Sequence, residues 1–161
     1  MSRTGPFDTP AAAESAFYEA IERCDAAALA RIWATEGRAV CVHPGIDRAE
    51  GREAVLESFA RMFAGTARLG FEIVDAVTAR AGPLAVHHVR ERVHLEGRLA
   101  AILAATNVYA LEADGWRLLM HHASHEGGPP DEGGGDGPGE PEAGSGGGGR
   151  DPGAPSGRTL H

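Results

Sequence analysis

The stretch RLAAILAATNVYALEADGWRLLMHHAS, residues 98–124, decides the fold of this chain. Two apolar runs within it flank Asp114-Gly115, a dipeptide typical of the tight turn in a β-hairpin. Similar turns are predicted at 81–83, which reads Ala-Gly-Pro, and at 96–97, which reads Glu-Gly. The sequence therefore predicts four consecutive strands joined by short hairpins, at 69–79, 84–95, 98–112 and 116–124.

The first half of the chain has helical character. Thr9 is a predicted N-cap, Pro10 suits the first helical turn, and Asp25 caps a second predicted helix. A short strand is predicted at 38–42. An apolar stripe at helical spacing indicates a third helix: Val55, Phe59, Met62 and Phe63. This order predicts an α+β domain, in which three N-terminal helices pack over one face of a curved, mostly antiparallel sheet.

Composition separates this domain from the end of the chain. Residues 126–161 contain 14 glycines and 6 prolines and carry a net charge of −5 of the total −8. A segment this poor in large apolar side chains buries too little surface to offset the entropy of ordering it. We therefore predict a flexible N-terminus at 1–9, one folded domain at 10–125 and a disordered, acidic tail at 126–161.

The charged residues exclude several functions. All 15 basic residues are arginine, so no lysine is present for Schiff-base chemistry. The arginines are scattered over an acidic chain, which argues against a nucleic-acid partner.

The sequence has no segment expected to direct it to a membrane. The N-terminus has no apolar signal segment, and the longest nearly apolar run, 99–108, is too short to span a bilayer. We expect a cytoplasmic protein with no membrane partner.

Strand periodicity gives the candidate histidine. Successive side chains of a strand point to opposite faces, so residues 116–124 divide into two sets. The heavier, more apolar set is assigned to the concave interior: Trp116, Leu118, Met120, His122 and Ser124. His121, Ala123 and His125 are then expected on the outer face. His122 is a candidate catalytic residue, with a satisfied core histidine as the alternative.

Glu91 is the second candidate catalytic residue. It shares a predicted strand face with Val89 and Val93, so it is expected to be buried between apolar side chains. A buried glutamate must find a hydrogen-bond partner or take up a proton. The alternative is that Glu91 faces solvent or an interface, or pairs with an arginine such as Arg117.

Four residues are candidate binding residues. His43 ends the first strand and is expected over the pocket mouth, with an ordinary loop histidine as the alternative. Asn107 shares an apolar strand face and needs hydrogen-bond partners, from a ligand or from neighbouring side chains. Trp33 is expected to wall the pocket or to belong to the core, and Ser124 to lie towards the rim.

No cofactor or metal is predicted. The folded part has no phosphate-cradling glycine loop, and Cys24 and Cys41 lack metal-ligand spacing and are interpreted as small core residues. Histidines gathered on the outer sheet face, including His121 and His125, would offer at most a weak zinc or nickel site. Surface or interface histidines explain the same pattern.

Several motifs resemble a known family. They are Trp33, VCVHPG at 40–45, GREAV at 51–55, VRERV at 89–93, ATNVY at 105–109 and WRLLMHHAS at 116–124. They are similar to the SnoaL-like branch of the NTF2-like superfamily, which includes ketosteroid isomerases and the association domain of calmodulin-dependent kinase II. The resemblance implies a cone-shaped fold that encloses a pocket, in a homodimer formed through the sheets.

The resemblance does not select a reaction. Ketosteroid isomerases pair an aspartate base with a tyrosine and a protonated acid, whereas the sequence places neither Tyr18 nor Tyr109 against an acid. The leading hypothesis is a domain that binds a small apolar molecule and acts as an acid–base isomerase, cyclase or dehydratase. The alternative is a non-catalytic dimerisation or association module. An enclosed cavity of about 300 Å³ or more, lined by Glu91, Asn107, His122 and His43, would favour the first. Large apolar side chains that fill the cone completely would favour the second.

Overall fold

The computed structural model describes residues 7–65 and 67–127 of the chain. The elements follow in the order α1 Pro10–Glu22, α2 Ala26–Ile32, β1 Val40–Val42, β2 Ala49–Glu50, α3 Arg52–Phe63, β3 Leu69–Ala81, β4 Leu84–Leu95, β5 Arg98–Glu112 and β6 Gly115–His125. The predicted tail lies outside the described residues except for its first two, and the predicted N-terminal segment except for its last three.

The six strands form one sheet in the order β2-β1-β6-β5-β4-β3. All neighbouring pairs are antiparallel except β1 and β6, which are parallel. The predicted helix and strand order is confirmed, with β2 as an additional two-residue strand. The α+β architecture is therefore the one that the hairpin turns and the helical stripes indicated.

The predicted caps begin the first two helices. The Thr9 side chain accepts a hydrogen bond from the Ala12 N–H at 3.1 Å, and that of Asp25 accepts one from the Ala28 N–H at 2.9 Å. Each bond satisfies a backbone donor that has no partner within the helix. The third helix instead follows Gly51, whose φ of +87° lies in the left-handed region that glycine favours.

Aromatic rings fill the space between the helices and the sheet. Phe17 of α1 meets Trp33 edge-on with ring centroids 6.1 Å apart, and it meets Phe59 of α3 edge-on at 5.9 Å. All three side chains are buried. Phe7 is buried as well, and its carbonyl accepts the Trp116 N–H at 2.8 Å. Packing therefore begins three residues before the predicted domain boundary at residue 10.

An extra residue in β6 reverses which side chains face inward. Val108 of β5 pairs with Met120, but the next residue, Tyr109, pairs with Leu118, so Leu119 has no partner across the strands. This β-bulge shifts the alternation by one residue. Trp116 and Leu118 face the interior as predicted, but beyond the bulge His121 and Ala123 do so, while Met120, His122 and Ser124 are exposed. For these three residues the predicted orientation was wrong.

The two cysteines have different environments. Cys41 is buried, as predicted, whereas Cys24 is exposed. Helix α1 ends at Glu22, and Cys24 adopts a φ of +53° in the turn that follows. The interpretation of Cys24 as a core residue was therefore wrong, because the helical spacing was carried past the end of the helix.

Candidate active site

A cavity of about 290 Å³ lies between the helices and the inner face of the sheet. Most of its wall is apolar and includes Phe59, Phe71 and Leu103. The polar side chains that line it are Tyr18, His43, Glu91, His121 and His125. Arginine is absent from the lining formed by the described residues, and the chain contains no lysine.

Glu91 occupies the centre of the site. It lies on the inner face of β4 with only 1% of its surface exposed. The Tyr18 hydroxyl donates to its Oε1 at 2.6 Å. Burial raises the pKa of the Glu91 carboxyl to about 7, the Tyr18 hydrogen bond opposes this rise, and the nearby Glu14 charge adds to it. Glu91 therefore faces the cavity, and its hydrogen-bond partner is a tyrosine. The predicted alternative, a surface position or an arginine partner, was wrong.

His121 is the histidine that the sheet presents to this cavity. Its Nδ1 lies 2.6 Å from Oδ1 of Asn107 on the neighbouring strand. Burial lowers the pKa of His121 to about 3, with His43 and His122 as smaller contributors. The imidazole is therefore neutral at physiological pH, with one ring nitrogen as a hydrogen-bond donor and the other as an acceptor.

Asn107 lies behind the cavity wall and does not line it. It is fully buried, and its Nδ2 donates to the Tyr18 oxygen at 2.9 Å and to Oε2 of Glu14 at 3.2 Å. Together with its bond to His121, every polar atom of the side chain has a neighbouring side chain as partner. Of the two predicted kinds of partner, ligand or neighbouring side chain, the structure supplies the second.

Glu14 extends this network away from the cavity. Its Oε2 also accepts the Tyr109 hydroxyl at 2.9 Å and lies 3.0 Å from Nδ1 of His87. Sequence reasoning missed both Glu14 and Tyr18. The available signal was their spacing of four residues in α1, which puts both on one helix face beside the buried Phe17.

His43 closes another part of the cavity. It is buried directly after β1, with its ring edge-on to Phe59 at 4.8 Å between centroids. Its Nε2 lies 3.1 Å from Oγ of Ser58, which itself donates to the Val55 carbonyl. Nε2 is therefore the donor in this contact. Burial lowers the pKa of His43, so it is a neutral member of the lining, in the position predicted over the pocket.

The structure does not bring all predicted site residues together. Glu91 and His43 line the cavity, and Asn107 supports it from behind. Trp33 belongs to the aromatic core and is fully buried outside the cavity lining. His122 and Ser124 are exposed on the opposite face of the sheet because of the bulge at Leu119. His121 takes the inward position that was predicted for His122.

The family model for the SnoaL-like domain matches residues 11–126. The chain belongs to the SnoaL-like family. A comparison of this SnoaL-like protein with curated proteins finds no match.

Solved structures agree with this assignment. One is a protein from Thiobacillus denitrificans ATCC 25259, provisionally named a calcium/calmodulin-dependent protein kinase type II association domain. Its sequence is 35% identical to this chain, and its structure matches with a TM-score of 0.68. The match covers 76% of this chain and 99% of that one. An NTF2-like family protein from Streptomyces avermitilis, provisionally named a dehydratase, is 35% identical over 72% of this chain and 92% of that one, with a TM-score of 0.66.

A third similar structure shows the fold alone. It is a protein from Parabacteroides distasonis ATCC 8503, provisionally named a ketosteroid isomerase, with 21% identity over 74% of this chain and 89% of that one and a TM-score of 0.60. The predicted resemblance and fold class are confirmed by these findings. No helix within residues 7–65 and 67–127 of the SnoaL-like protein is long and apolar enough to cross a membrane.

The inner-face histidines are engaged in hydrogen bonds. His121 contacts Asn107, and His87 contacts Glu14. Both are buried on the concave side of the sheet, and His125 lines the cavity, so the expected outer-face position of His121 and His125 was wrong. The described part of the SnoaL-like protein contains no group of three or more histidine, cysteine, aspartate or glutamate side chains arranged to hold a metal ion.

Proposed function

We propose that this SnoaL-like protein binds a small, uncharged, apolar molecule in its cavity and moves a proton on it by general acid–base catalysis. The observation that carries the proposal is Glu91: a carboxyl inside an apolar cavity, held by Tyr18 and with a pKa raised to about 7. A catalytic acid or base works best when its pKa lies near the working pH, because both protonation states are then available. Isomerisation, cyclisation and dehydration are the reaction classes that this chemistry suits.

The charges of the cavity favour an uncharged ligand. His43 and His121 are held neutral by burial, and no arginine of the described residues lines the wall. A ligand carboxylate or phosphate would lie beside Glu91 and would find no lysine or arginine of the described residues to pair with, which is unfavourable in a site of low dielectric constant. A volume of about 290 Å³ lies just below the range of about 300–1,000 Å³ that is usual for small-molecule pockets, and of the four residues expected to line it only Glu91 and His43 do.

The two oxygens of Glu91 have different surroundings. Oε1 accepts the Tyr18 hydroxyl, whereas Oε2 has no hydrogen-bond partner among the described side chains and backbone groups. Oε2 is therefore the atom we assign to proton transfer. As a base, it removes a proton from an acidic C–H of the ligand; as an acid, it returns that proton at another atom. Tyr18 holds the carboxyl in place during both steps.

Solvent-proton exchange tests the proposal without knowledge of the natural substrate. The protein is incubated in D₂O with a panel of small neutral ketones, and deuterium at the α-carbon is measured by mass spectrometry. We expect Glu91→Gln to lower the exchange rate by about 10²-fold or more. Glu72→Gln is the matched control, because Glu72 is an exposed glutamate on β3 that pairs with Arg92. Equal exchange rates in wild type and Glu91→Gln would contradict the proposal.

A second candidate function, self-association through the sheet, has its own observation. Val86, Val108, Met120 and Val40 are register neighbours across β4, β5, β6 and β1 on the face away from the helices. Such a continuous apolar row on a sheet face is typical of an interaction surface. The similar Thiobacillus denitrificans protein is named as an association domain. Sedimentation equilibrium measures this association directly. Self-association through the outer sheet face is compatible with a functional cavity on the inner face.

A further inference from the structure

Glu14 contacts the network from outside the cavity. Its Oε2 meets three potential donors: Tyr109 Oη at 2.9 Å, His87 Nδ1 at 3.0 Å and Asn107 Nδ2 at 3.2 Å. The Glu14 side chain is 14% exposed and is not part of the cavity lining. A carboxylate that receives several donors on one oxygen is a strong and directional acceptor.

We infer that Glu14 is a positioning residue: its carboxylate fixes the orientation of the Asn107 amide and thereby determines which ring nitrogen of His121 carries the proton. The inference rests on the proposed function in one respect, since His121 matters for catalysis only if the cavity is the active site. Glu14 does not line the cavity. It acts on the groups that do through Asn107 and through its charge, which raises the pKa of Glu91.

The Glu14 carboxylate acts first on the side-chain amide of Asn107. In the observed orientation, the NH₂ group of Asn107 faces Glu14 and the Tyr18 oxygen, and its carbonyl oxygen faces His121. Rotating the amide by half a turn would put its carbonyl oxygen about where Nδ2 is, beside a carboxylate oxygen. Two acceptors would then face each other in a buried site, at the cost of an unmade hydrogen bond and of charge–dipole repulsion. The Glu14 carboxylate therefore selects the observed orientation, and the Tyr18 oxygen, which also accepts from Nδ2, favours the same one.

The orientation of the Asn107 amide determines the tautomer of His121. Because Asn107 presents its carbonyl oxygen, the neutral imidazole must donate from Nδ1, and its Nε2 carries a lone pair. Nε2 has no hydrogen-bond partner among the described residues. His121 therefore offers the cavity an acceptor. With the amide rotated, Asn107 would donate to Nδ1, the proton would sit on Nε2, and His121 would offer a donor instead.

The same amide also directs Tyr18. The Tyr18 oxygen accepts from Nδ2 of Asn107, so its hydroxyl hydrogen is free to point at Glu91. One carboxylate behind the wall thus orders the hydrogen bonds of both Tyr18 and His121, which line the cavity. This arrangement could not be predicted from a local sequence pattern, because Glu14 and Asn107 are 93 residues apart in the chain.

Nitrogen NMR of the histidine rings tests the inference in the full chain without any substrate. Protonated and unprotonated ring nitrogens of neutral histidine have well-separated ¹⁵N chemical shifts, so the tautomer of His121 is read directly. Wild type is expected to show Nδ1–H. Glu14→Gln keeps the shape and removes the charge, and we expect the ratio of Nδ1–H to Nε2–H to fall by about tenfold or more. Glu14→Ala is a second neutral variant, and circular dichroism checks the fold of each.

Glu22→Gln is the matched control. Glu22 lies on the same helix and accepts the Phe71 N–H at 2.6 Å, but it does not contact Asn107. Its substitution is expected to leave the His121 tautomer unchanged. An Nε2–H tautomer in wild type, or an unchanged Nδ1–H tautomer in the folded Glu14 variants, would overturn the inference. Either result would leave the role of Glu91 intact, because deuterium exchange with Glu91→Gln tests that role separately.

Discussion

Tyr18 donates its hydroxyl hydrogen to Oε1 of Glu91 at 2.6 Å, which joins the first helix to the middle of the sheet inside an apolar cavity. The bond favours the charged carboxylate, while burial disfavours it, and burial is the larger effect. The pKa of Glu91 is therefore raised, but by less than burial alone would raise it. This balance is what gives the carboxyl a pKa near the physiological range.

Removing the tyrosine hydroxyl is expected to raise the pKa of Glu91 further. In Tyr18→Phe the charged carboxylate loses a hydrogen bond worth about 1.5–3 kcal/mol, which corresponds to a rise of about one to two pKa units. A pH titration of ¹³C-labelled glutamate side chains measures this directly. Tyr109→Phe is the control, because Tyr109 donates to Glu14 and leaves the Tyr18–Glu91 bond in place. An unchanged Glu91 pKa in Tyr18→Phe would show that the bond has no effect on the carboxyl.

The raised pKa of Glu91 should also appear in protein stability. Between the ordinary value of 4.5 and the native value of about 7, the folded protein holds a proton that the unfolded chain releases. Stability contributed by this group is therefore lost as the pH rises through that window, by about 3 kcal/mol in total. Glu91→Gln does not titrate, so the unfolding free energy of wild type relative to this variant is expected to fall from pH 4.5 to 7 and then level off.

Urea denaturation at a series of pH values measures this difference. Glu72→Gln provides the baseline, because Glu72 is exposed and its removal is expected to leave the wild-type curve between pH 4.5 and 7 nearly unchanged. A difference between wild type and Glu91→Gln that does not vary with pH would mean that the native carboxyl titrates normally.

Much of the fold could be predicted because its signals are local. The hairpin turns contain glycine, proline or Asp-Gly, and the caps Thr9 and Asp25 stand directly before their helices. The bulge at Leu119 could not be predicted in this way. Leucine is neither a turn former nor a residue that favours irregular backbone, so regular alternation was assumed through it. That assumption exchanged His121 for His122 and put Ser124 on the wrong face.

The candidate site was predicted only in part, for a different reason. Glu91 was found because two valines on its own strand indicate burial, which is a local pattern. Its partner Tyr18 lies 73 residues away on α1. An apolar helix face shows which residues are buried but not which strand they meet. The long-range pairs of the site follow from how α1 crosses the sheet, and no short motif records that.

His121 is expected to make the protein sensitive to acid. Its native pKa of about 3 lies below the ordinary value of 6.5, so between these values the unfolded chain binds a proton that the native state excludes. Stability from this group is present above pH 6.5 and is lost as the pH falls towards 3, by several kcal/mol. His121→Gln should remove this part of the acid dependence. Thermal unfolding between pH 3 and 7 measures the effect.

The neighbouring histidine provides the control for that experiment. His122 follows directly in the strand but is exposed on the other face of the sheet. His122→Gln is therefore expected to keep the acid dependence of wild type. If both substitutions had the same effect, or if His122→Gln alone removed the dependence, the inward orientation of His121 beyond the bulge would be contradicted.

Charge placed on the outer apolar row is expected to prevent self-association. Met120 lies in the middle of the row formed with Val86, Val108 and Val40, and it is 36% exposed. In a sheet-to-sheet interface, Met120→Glu would bury an unpaired carboxylate, which is strongly unfavourable. We expect the dissociation constant of Met120→Glu to be at least about 100-fold higher than that of wild type, and sedimentation equilibrium measures both. Because its side chain points away from the cavity, this variant should retain deuterium exchange when its fold is intact.

Leu111→Glu is the matched control, because Leu111 is 46% exposed but lies outside the row. If Met120→Glu associated as strongly as Leu111→Glu and wild type, the row would not be the association surface. Loss of association without loss of exchange would instead separate the two proposed functions, with the interface on one face of the sheet and the chemistry on the other.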